Sequence, residues 1–179
     1  MNVSIRQEQP SDYGRTEVVV QKAFLNAEHT DGDEFRLVGR LRKAEDFIPN
    51  LSLVAVREGE IVGHIIFTPI FIEVPDKGFA KSLALAPVSV HPDFQGNKIG
   101  ARLINEGHDA AQRLGHRSVI LLGHPGYYPR FGYKPASMWR IKPPFEVTDD
   151  AFMALELVPG ALAGVEGTVK YPPAFGLSQ

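Results

Sequence analysis

The fold is decided by one stretch of the chain, Val88-Ser89-Val90-His91-Pro92-Asp93-Phe94-Gln95-Gly96-Asn97-Lys98-Ile99-Gly100-Ala101. This stretch predicts an apolar strand, then a short polar turn with two glycines, then the start of a helix. The first turn of a helix carries unpaired N–H groups and the positive end of the helix dipole, so it attracts phosphate. We therefore expect a phosphorylated ligand here. The alternative is a helix start that uses its glycines only for turning.

Two common phosphate-binding motifs do not fit this stretch. A Walker-type loop ends in Gly-Lys-Ser or Gly-Lys-Thr, whereas the order here is Lys98-Ile99-Gly100. A dinucleotide fingerprint needs three spaced glycines and a carboxylate at the end of the following strand, but that strand ends in Leu121-Leu122-Gly123. The phosphate site is therefore expected to belong to a different motif.

Length and composition predict a single domain over residues 1–179 with a full hydrophobic core. A formal net charge of -2 argues against general binding to nucleic acid or to an anionic membrane. The chain has no cysteine, which excludes a disulfide, a thiol nucleophile and a thiolate metal site, and its histidines lack metal-ligand spacing. No apolar run approaches about 20 residues and the N-terminus lacks a signal-peptide pattern, so we expect a cytoplasmic protein without a membrane span.

Hydrophobic periodicity predicts a mixed α/β sheet. Strands are expected over residues 3–6, 51–57, 61–74, 81–90, 118–122, 151–157 and 168–171. Helices are expected to follow Ser11 or Asp12, to include residues 35–41, and to span residues 98–114. The core should lie within about residues 3–136, and the strands of residues 137–175 should complete the sheet.

Helical spacing identifies the apolar face of each predicted helix. The residues expected on these faces are Val18, Val19, Ala23, Phe24, Phe35, Val38, Leu41, Ile99, Leu103, Gly107, Ala110, Ala111 and Leu114. The strand over residues 118–122 is apolar enough to predict burial on both faces of a sheet.

A third phosphate motif fits, because the chain resembles the GNAT family of N-acetyltransferases. The diphosphate signature of that family is Gln/Arg-x-x-Gly-x-Gly/Ala, and it follows a strand of the form Leu-x-Val-x-Pro. Here Val88-Ser89-Val90-His91-Pro92 precedes Gln95-Gly96-Asn97-Lys98-Ile99-Gly100. The one departure is Lys98, which stands where the first motif glycine usually lies and could add a positive charge near phosphate.

The resemblance covers most of the chain. Residues 128–133, Tyr-Pro-Arg-Phe-Gly-Tyr, are similar to the family's late Tyr-x-x-x-Gly-Phe motif. The wider segment of residues 122–136 and the tail of residues 171–175 resemble the YhbS-like branch of the family.

The resemblance implies a GNAT-like acyl-CoA N-acyltransferase fold in which a central pair of parallel strands splays apart. It implies acetyl-CoA as the cosubstrate, with its pantetheine arm in the split and the Val88 N–H facing the acetyl carbonyl as an oxyanion donor. A strand bulge is expected at Ala86-Pro87, since Pro87 has no N–H. The expected cofactor-binding residues are Val88, Ser89, Val90, Gln95, Gly96, Asn97, Lys98, Ile99, Gly100 and Ala101.

Two residues are the candidate catalytic groups. Tyr128 matches the tyrosine of the family motif, which implies a general acid near the sulfur; the alternative is a packing aromatic. His124 has the chemistry of a general base because imidazole titrates near neutral pH; the alternative is a turn histidine bonded to backbone. Ser89 could line the split, but a hydroxyl is a poor base without a partner, and His64 is expected to be a satisfied strand histidine.

The expected function is acetyl-CoA-dependent transfer of an acetyl group to an unidentified primary amine, by direct attack. The acceptor is a small-molecule or peptide amine, and a homodimer is possible by the family resemblance. An acyl-CoA-binding sensor without efficient turnover is the main alternative, and a nucleotide-phosphate protein is a weaker one. An acidic run either binds a cationic acceptor or is a solvated loop; its residues are Glu28, His29, Asp31, Asp33 and Glu34.

Overall fold

The structure is a computed structural model that describes residues 2–28 and 30–177, so His29 of the acidic run lies outside the described residues. Its longer helices are α1 (Tyr13–Phe24), α2 (Glu34–Lys43) and α3 (Ile99–Arg113). The strands of the described part form a mixed sheet: β1 (Ser4–Gln7), β2 (Ser52–Arg57), β3 (Glu60–Val74), β4 (Gly78–Val90), β5 (Ser118–Leu122), β6 (Lys134–Pro135), β7 (Ile141–Lys142), β8 (Phe152–Glu156) and β9 (Gly167–Lys170).

The chain divides into two compact units. Unit 1 comprises residues 1–68, 86–110 and 174–176, and unit 2 comprises residues 69–85, 111–173 and 177–179. Strands β3 and β4 therefore each contribute one part to each unit. Within residues 2–28 and 30–177, no helix is long and apolar enough to cross a bilayer. A single domain over residues 1–179 stays a prediction.

Antiparallel strands form the sheet of unit 1. Strand β1 pairs with β2 from Ser4–Val56 to Gln7–Leu53, and β2 pairs with β3. Helices α1 and α2 contribute Val20 and Leu41 to a buried cluster that also contains Ile66 of β3. The prediction of Val18 on the buried face of α1 was wrong, since Val18 is 48% exposed. The nearby Thr16 is buried instead.

Helix α3 packs closely on β3, and two glycines make this approach possible. A side chain on Gly107 would collide with the ring of Phe67, which is fully buried. A Cβ on Gly63 would lie 3.0 Å from Leu103 Cδ1. Ile99 and Leu103 are buried as predicted, but Leu114 follows the end of α3 and is 48% exposed, so its placement on the buried face was wrong.

Unit 1 also contains a buried polar network. The guanidinium of Arg42 donates to the Glu8 carboxylate at 2.6 and 3.3 Å, and the Ser52 hydroxyl donates to it at 2.6 Å. His64 Nε2 lies 3.0 Å from Ser52 Oγ and 3.5 Å from the Glu8 carboxylate. This pairing offsets the cost of removing Glu8 and Arg42 from water.

Unit 2 contains the parallel part of the sheet. Strands β4 and β5 pair through Leu83–Val119 and Ala84–Ile120. Strand β5 continues against β8 as far as Leu122–Phe152, so its ladder with β8 is the longer one. A parallel ladder of two pairs fits the predicted splayed strand pair, and the predicted fold class is confirmed.

Other strands of unit 2 correct or extend the predictions. Leu122 is 51% exposed, so burial of the whole β5 strand was wrong at its last residue. Strand β9 pairs with both β3 and β7, and β6 pairs with β8. Strands β6 and β7 are two residues long and were not predicted, because periodicity cannot identify so short a segment.

We predict that Gly107→Ala destabilises the fold. A methyl group at Gly107 meets the buried ring of Phe67, and overpacking a core costs about 1–3 kcal/mol. This exceeds the gain of about 1 kcal/mol in helix propensity. Urea unfolding should show a lower free energy of unfolding for the variant.

Gly14→Ala is the matched control, because Gly14 lies in α1 and a Cβ there meets nothing within 4 Å. This variant should be as stable as the native chain, or more stable. An equal or higher free energy of unfolding for Gly107→Ala would show that α3 does not press on β3.

We predict that protonation of Glu8 removes stability at acidic pH. Burial alone would raise the pKa of the Glu8 carboxyl, but hydrogen bonding and charge from His64, with hydrogen bonds from Arg42 and Ser52, lower the pKa from 4.5 to about 2. The pKa of Glu8 is lower in the folded chain than in the unfolded chain, so its ionised carboxylate stabilises the fold at pH values above the unfolded pKa. That contribution, about 3 kcal/mol at 1.36 kcal/mol per pKa unit, is lost as the pH falls from 4.5 through about 2.

Urea unfolding of Glu8→Gln tests this linkage. The variant should have a lower free energy of unfolding at neutral pH, and its difference from the native chain should shrink toward the folded-state pKa of Glu8. Glu17→Gln is the control, because Glu17 pairs with the same Arg42 at 2.9 Å but is 41% exposed. It should change stability by less than about 1 kcal/mol. A deficit for Glu8→Gln that is independent of pH would contradict the linkage.

Candidate active site

A rigid turn connects β4 to α3 in unit 1. The His91 N–H donates to the Val62 carbonyl at 2.9 Å, and His91 Nδ1 accepts from the Asp93 N–H at 3.1 Å. The side chain of Asn97 donates to the carbonyls of Phe94 and Gln95, at 3.0 and 3.3 Å. His91 and Asn97 therefore hold the shape of the turn with their side chains.

The turn uses two left-handed backbone positions. Gly96 has φ +81°, which glycine adopts without strain, and a Cβ there would meet nothing within 4 Å. Lys98 has φ +61°, which costs an L residue about 1–2 kcal/mol. This conformation explains why the motif that the chain resembles usually has glycine where Lys98 stands here.

The helix that follows begins with unpaired donors. The Arg102 N–H donates to the Lys98 carbonyl at 3.1 Å, which is an i to i−4 bond at the start of α3. The N–H groups of Ile99, Gly100 and Ala101 precede this bond and have no i−4 acceptor within the helix. Because Gly96, Asn97 and Lys98 are exposed, an anion can reach these donors from solvent.

The other predicted cofactor-binding residues lie on or next to the end of β4. The Gln95 side-chain amide donates to the Val90 carbonyl at 3.2 Å, so it braces the turn against the strand. Val88 and Val90 are half-buried. Ser89 is 4% exposed, and its Oγ hydrogen bonds to no described residue. The peptide bond Ala86-Pro87 is cis.

Tyr128 lies in unit 2, in the short 3-10 helix Tyr128–Phe131 that follows β5. Its ring packs on Gly123, where any side chain would collide with it. The rings of Tyr127 and Tyr133 lie 5.1 and 5.9 Å from the Tyr128 ring, both edge-on. These contacts fix the phenol in one orientation.

Burial raises the pKa of Tyr128 to about 12, with a smaller contribution from Tyr127. The phenol therefore carries its proton throughout the neutral range and can donate it. His124 is exposed in the turn before Tyr128, and its carbonyl accepts from the Tyr127 N–H at 3.1 Å.

The acidic run between α1 and α2 is partly neutralised. Asp33 pairs with Arg40 at 3.0 Å and with Arg36 at 3.5 Å. The Thr30 hydroxyl donates to Glu34, and the Asp31 side chain accepts from the Asp33 N–H at 2.9 Å. In the described part of the chain, no group of three or more histidine or acidic side chains is arranged to hold a metal ion.

The sequence reasoning missed the network around His64. Glu8, Arg42 and Ser52 lie far from His64 in the chain, and each resembles an ordinary helix or strand residue. His64 was expected to be satisfied, yet only its Nε2 is; its Nδ1 hydrogen bonds to none of the described residues. The pairing of β1 with β2 and of β2 with β3, together with the packing of α2, brings these groups together.

Comparisons with known proteins identify the family. An acetyltransferase (GNAT) domain model matches residues 4–136. The uncharacterized N-acetyltransferase YhbS of Escherichia coli K12 is 31% identical over 172 residues, which cover 96% of this chain and 97% of the relative. The uncharacterized N-acetyltransferase YjhQ of the same strain is 38% identical over 130 residues, covering 71% of this chain and 67% of the relative.

Solved structures agree with this match. The Escherichia coli GNAT-family N-acetyltransferase YhbS in complex with CoA has a TM-score of 0.88 and 28% identity, covering 99% of this chain and 93% of that chain. A GNAT-family acetyltransferase from Brucella melitensis in complex with acetyl-CoA has a TM-score of 0.80 and 34% identity, covering 97% and 98%. The turn before α3, the half-buried Tyr128 and these matches together lead to one conclusion: the chain belongs to the GNAT family of N-acetyltransferases.

Proposed function

We propose that this chain transfers an acetyl group from acetyl-CoA to a primary amine by direct attack. The observation that carries the proposal is the set of unpaired N–H groups at the start of α3, next to the left-handed positions Gly96 and Lys98. The relatives from Escherichia coli and Brucella melitensis that were solved with CoA and with acetyl-CoA support the same ligand class.

The diphosphate of acetyl-CoA would bind the N–H groups of residues 96–101. Lys98 would add a positive charge beside it, since its side chain is exposed at the turn. Val90 would pair through its backbone groups with the pantetheine amides. The Val88 N–H would also stabilise the negative charge that develops on the acetyl oxygen.

The reaction needs two proton transfers in addition to the acyl transfer. The amine nitrogen forms a bond to the acyl carbon, and the bond between carbon and sulfur breaks. Tyr128 gives its proton to the departing sulfur, which leaves as the CoA thiol. The amine loses one proton, for which the exposed His124 is the first candidate acceptor.

The acceptor would be a small-molecule or peptide amine. Exposed carboxylates at Glu28 and Asp31 support a cationic acceptor, because an amine is protonated until it enters the site. A cytoplasmic location and a homodimer stay predictions.

We predict that Tyr128→Phe separates turnover from binding. The screen is CoA-thiol release from acetyl-CoA over a broad panel of primary amines, and calorimetry measures acetyl-CoA binding. Loss of the phenol should lower kcat by about 10²–10⁴-fold, because general acid catalysis contributes about that much. The dissociation constant for acetyl-CoA should change less than about 2-fold, because the ring keeps its packing. With a pKa of about 12, Tyr128 should cause no loss of rate on the basic side of neutrality.

Tyr127→Phe is the matched control, since Tyr127 belongs to the same aromatic cluster and should keep its activity. Binding of acetyl-CoA with no thiol release for any amine would instead favour an acyl-CoA sensor. Absence of binding at millimolar acetyl-CoA would refute the proposal.

We predict that Lys98→Gly stabilises the fold and weakens the binding of acetyl-CoA. Glycine removes the left-handed strain at φ +61° and should raise the free energy of unfolding by about 0.5–1 kcal/mol. Loss of the charge should weaken acetyl-CoA binding by about 3–10-fold and reduce its dependence on salt.

Lys77→Asn is the control, because Lys77 is exposed in the turn between β3 and β4 and should change neither property. Unchanged affinity and unchanged salt dependence in Lys98→Gly would show that Lys98 does not face the diphosphate.

A further inference from the structure

His64 is a buried imidazole with one nitrogen still available. It is fully buried in β3, and its Nε2 lies 3.0 Å from the Ser52 hydroxyl. Its Nδ1 hydrogen bonds to none of the residues that the structure describes. A buried polar atom without a partner costs about 1–3 kcal/mol, so a role for this nitrogen is expected.

Charged groups lie behind the imidazole, on the side of Nε2. The Glu8 carboxylate is 3.5 Å from Nε2 and carries a negative charge at neutral pH. Arg42 from α2 holds Glu8 through two hydrogen bonds, and Tyr13 and Glu17 from α1 contact the same guanidinium. The Ser52 hydroxyl donates to Glu8, so His64 Nε2 donates to Ser52 and Nδ1 is left as the accepting atom of the ring.

Ser89 lies opposite His64 on the neighbouring strand β4. The His91 N–H bond to the Val62 carbonyl sets the pairing at this end of β3 and β4. His64 follows Val62 by two residues and Ser89 precedes His91 by two, so His64 and Ser89 are opposite each other with their side chains on one face. A Cβ on Gly63 would lie 3.1 Å from the Ser89 carbonyl, which also places the two strands side by side.

A bridging group would satisfy both His64 Nδ1 and Ser89 Oγ. Opposed side chains on paired strands have Cβ atoms about 4.5–5.5 Å apart. Ser89 Oγ and His64 Nδ1 each lack a partner among the described residues, so they are not bonded to each other directly. Thr16 Oγ1 of α1 is another buried atom of unit 1 without a hydrogen-bond partner among the described residues. One water, or the reacting amine, can join the serine to the imidazole.

We infer that Ser89, His64 and Glu8 form a proton relay that accepts the proton of the acceptor amine in place of His124. This inference rests on the proposed function, which puts acetyl-CoA along residues 88–90. Ser89 accepts the amine proton and passes its own hydroxyl proton, directly or through one water, to His64 Nδ1. His64 becomes an imidazolium beside Glu8 and later loses the proton to solvent by the reverse route. Ser89 contacts the reactants, whereas His64 and Glu8 act through it.

The first test identifies the tautomer of His64 directly. ¹⁵N-histidine-labelled protein is examined in the presence of CoA, and the His64 nitrogens are assigned with His64→Gln. The relay predicts that the proton of His64 lies on Nε2, that Nδ1 is the accepting atom, and that Ser89→Ala changes the Nδ1 shift. A proton on Nδ1 would overturn the relay, as would an Nδ1 shift that Ser89→Ala leaves unchanged.

The second test measures the rate with the amine that releases the most CoA in the panel. Ser89→Ala should lower kcat by about 10–100-fold with little change in acetyl-CoA affinity, and Ser89→Thr, which keeps the hydroxyl, should restore most of the rate. His64→Gln should lower kcat by a similar factor, again with little change in acetyl-CoA affinity. A native kcat in Ser89→Ala or in His64→Gln would overturn the relay.

Ser82→Ala is the matched control, because Ser82 is another buried serine of β4 and bonds to Ser118 at 2.7 Å. It should keep the native rate. Calorimetry on the same proteins separates the two proposals. Absence of acetyl-CoA binding to the native chain refutes the proposed function. Binding together with a proton on His64 Nδ1 refutes only the relay.

Discussion

The close packing of α3 on β3 is the constraint on which the candidate site depends. Gly63 and Gly107 leave no room for a side chain between the helix and the strand, so α3 cannot slide or roll without opening a gap. Its first N–H groups are therefore fixed just after the end of β4. Backbone donors that are already in place bind an anion without an ordering cost, which a flexible lysine or arginine would incur.

The same unit holds a second fixed electrostatic element, the buried network of Glu8, Arg42, Ser52 and His64. An ion pair removed from water contributes little net stability, yet breaking it by removing one partner is costly. The network therefore makes the position and the charge state of Glu8 dependable. Through Ser52, the network also fixes which nitrogen of His64 carries the proton, and so it bears on chemistry as well as on folding.

The sequence predicted the features that are contiguous in the chain. The turn before α3, the tyrosine motif and the longer strands each carry their signal within about 15 residues, and the fold class followed from their order. The two-residue strands β6 and β7 have too few residues for a periodic signal, and the exposure of Val18 and Leu114 depends on where each helix meets its neighbours. The network around His64 could not be predicted, because its members come from α2, β2, β3 and the residue after β1.

A crystal structure of the acetyl-CoA complex tests the central claim most directly. The account predicts diphosphate oxygens within hydrogen-bond distance of the N–H groups between Gly96 and Ala101, with α3 still packed on Gly63. A diphosphate bound elsewhere, with these N–H groups facing only solvent, would contradict it.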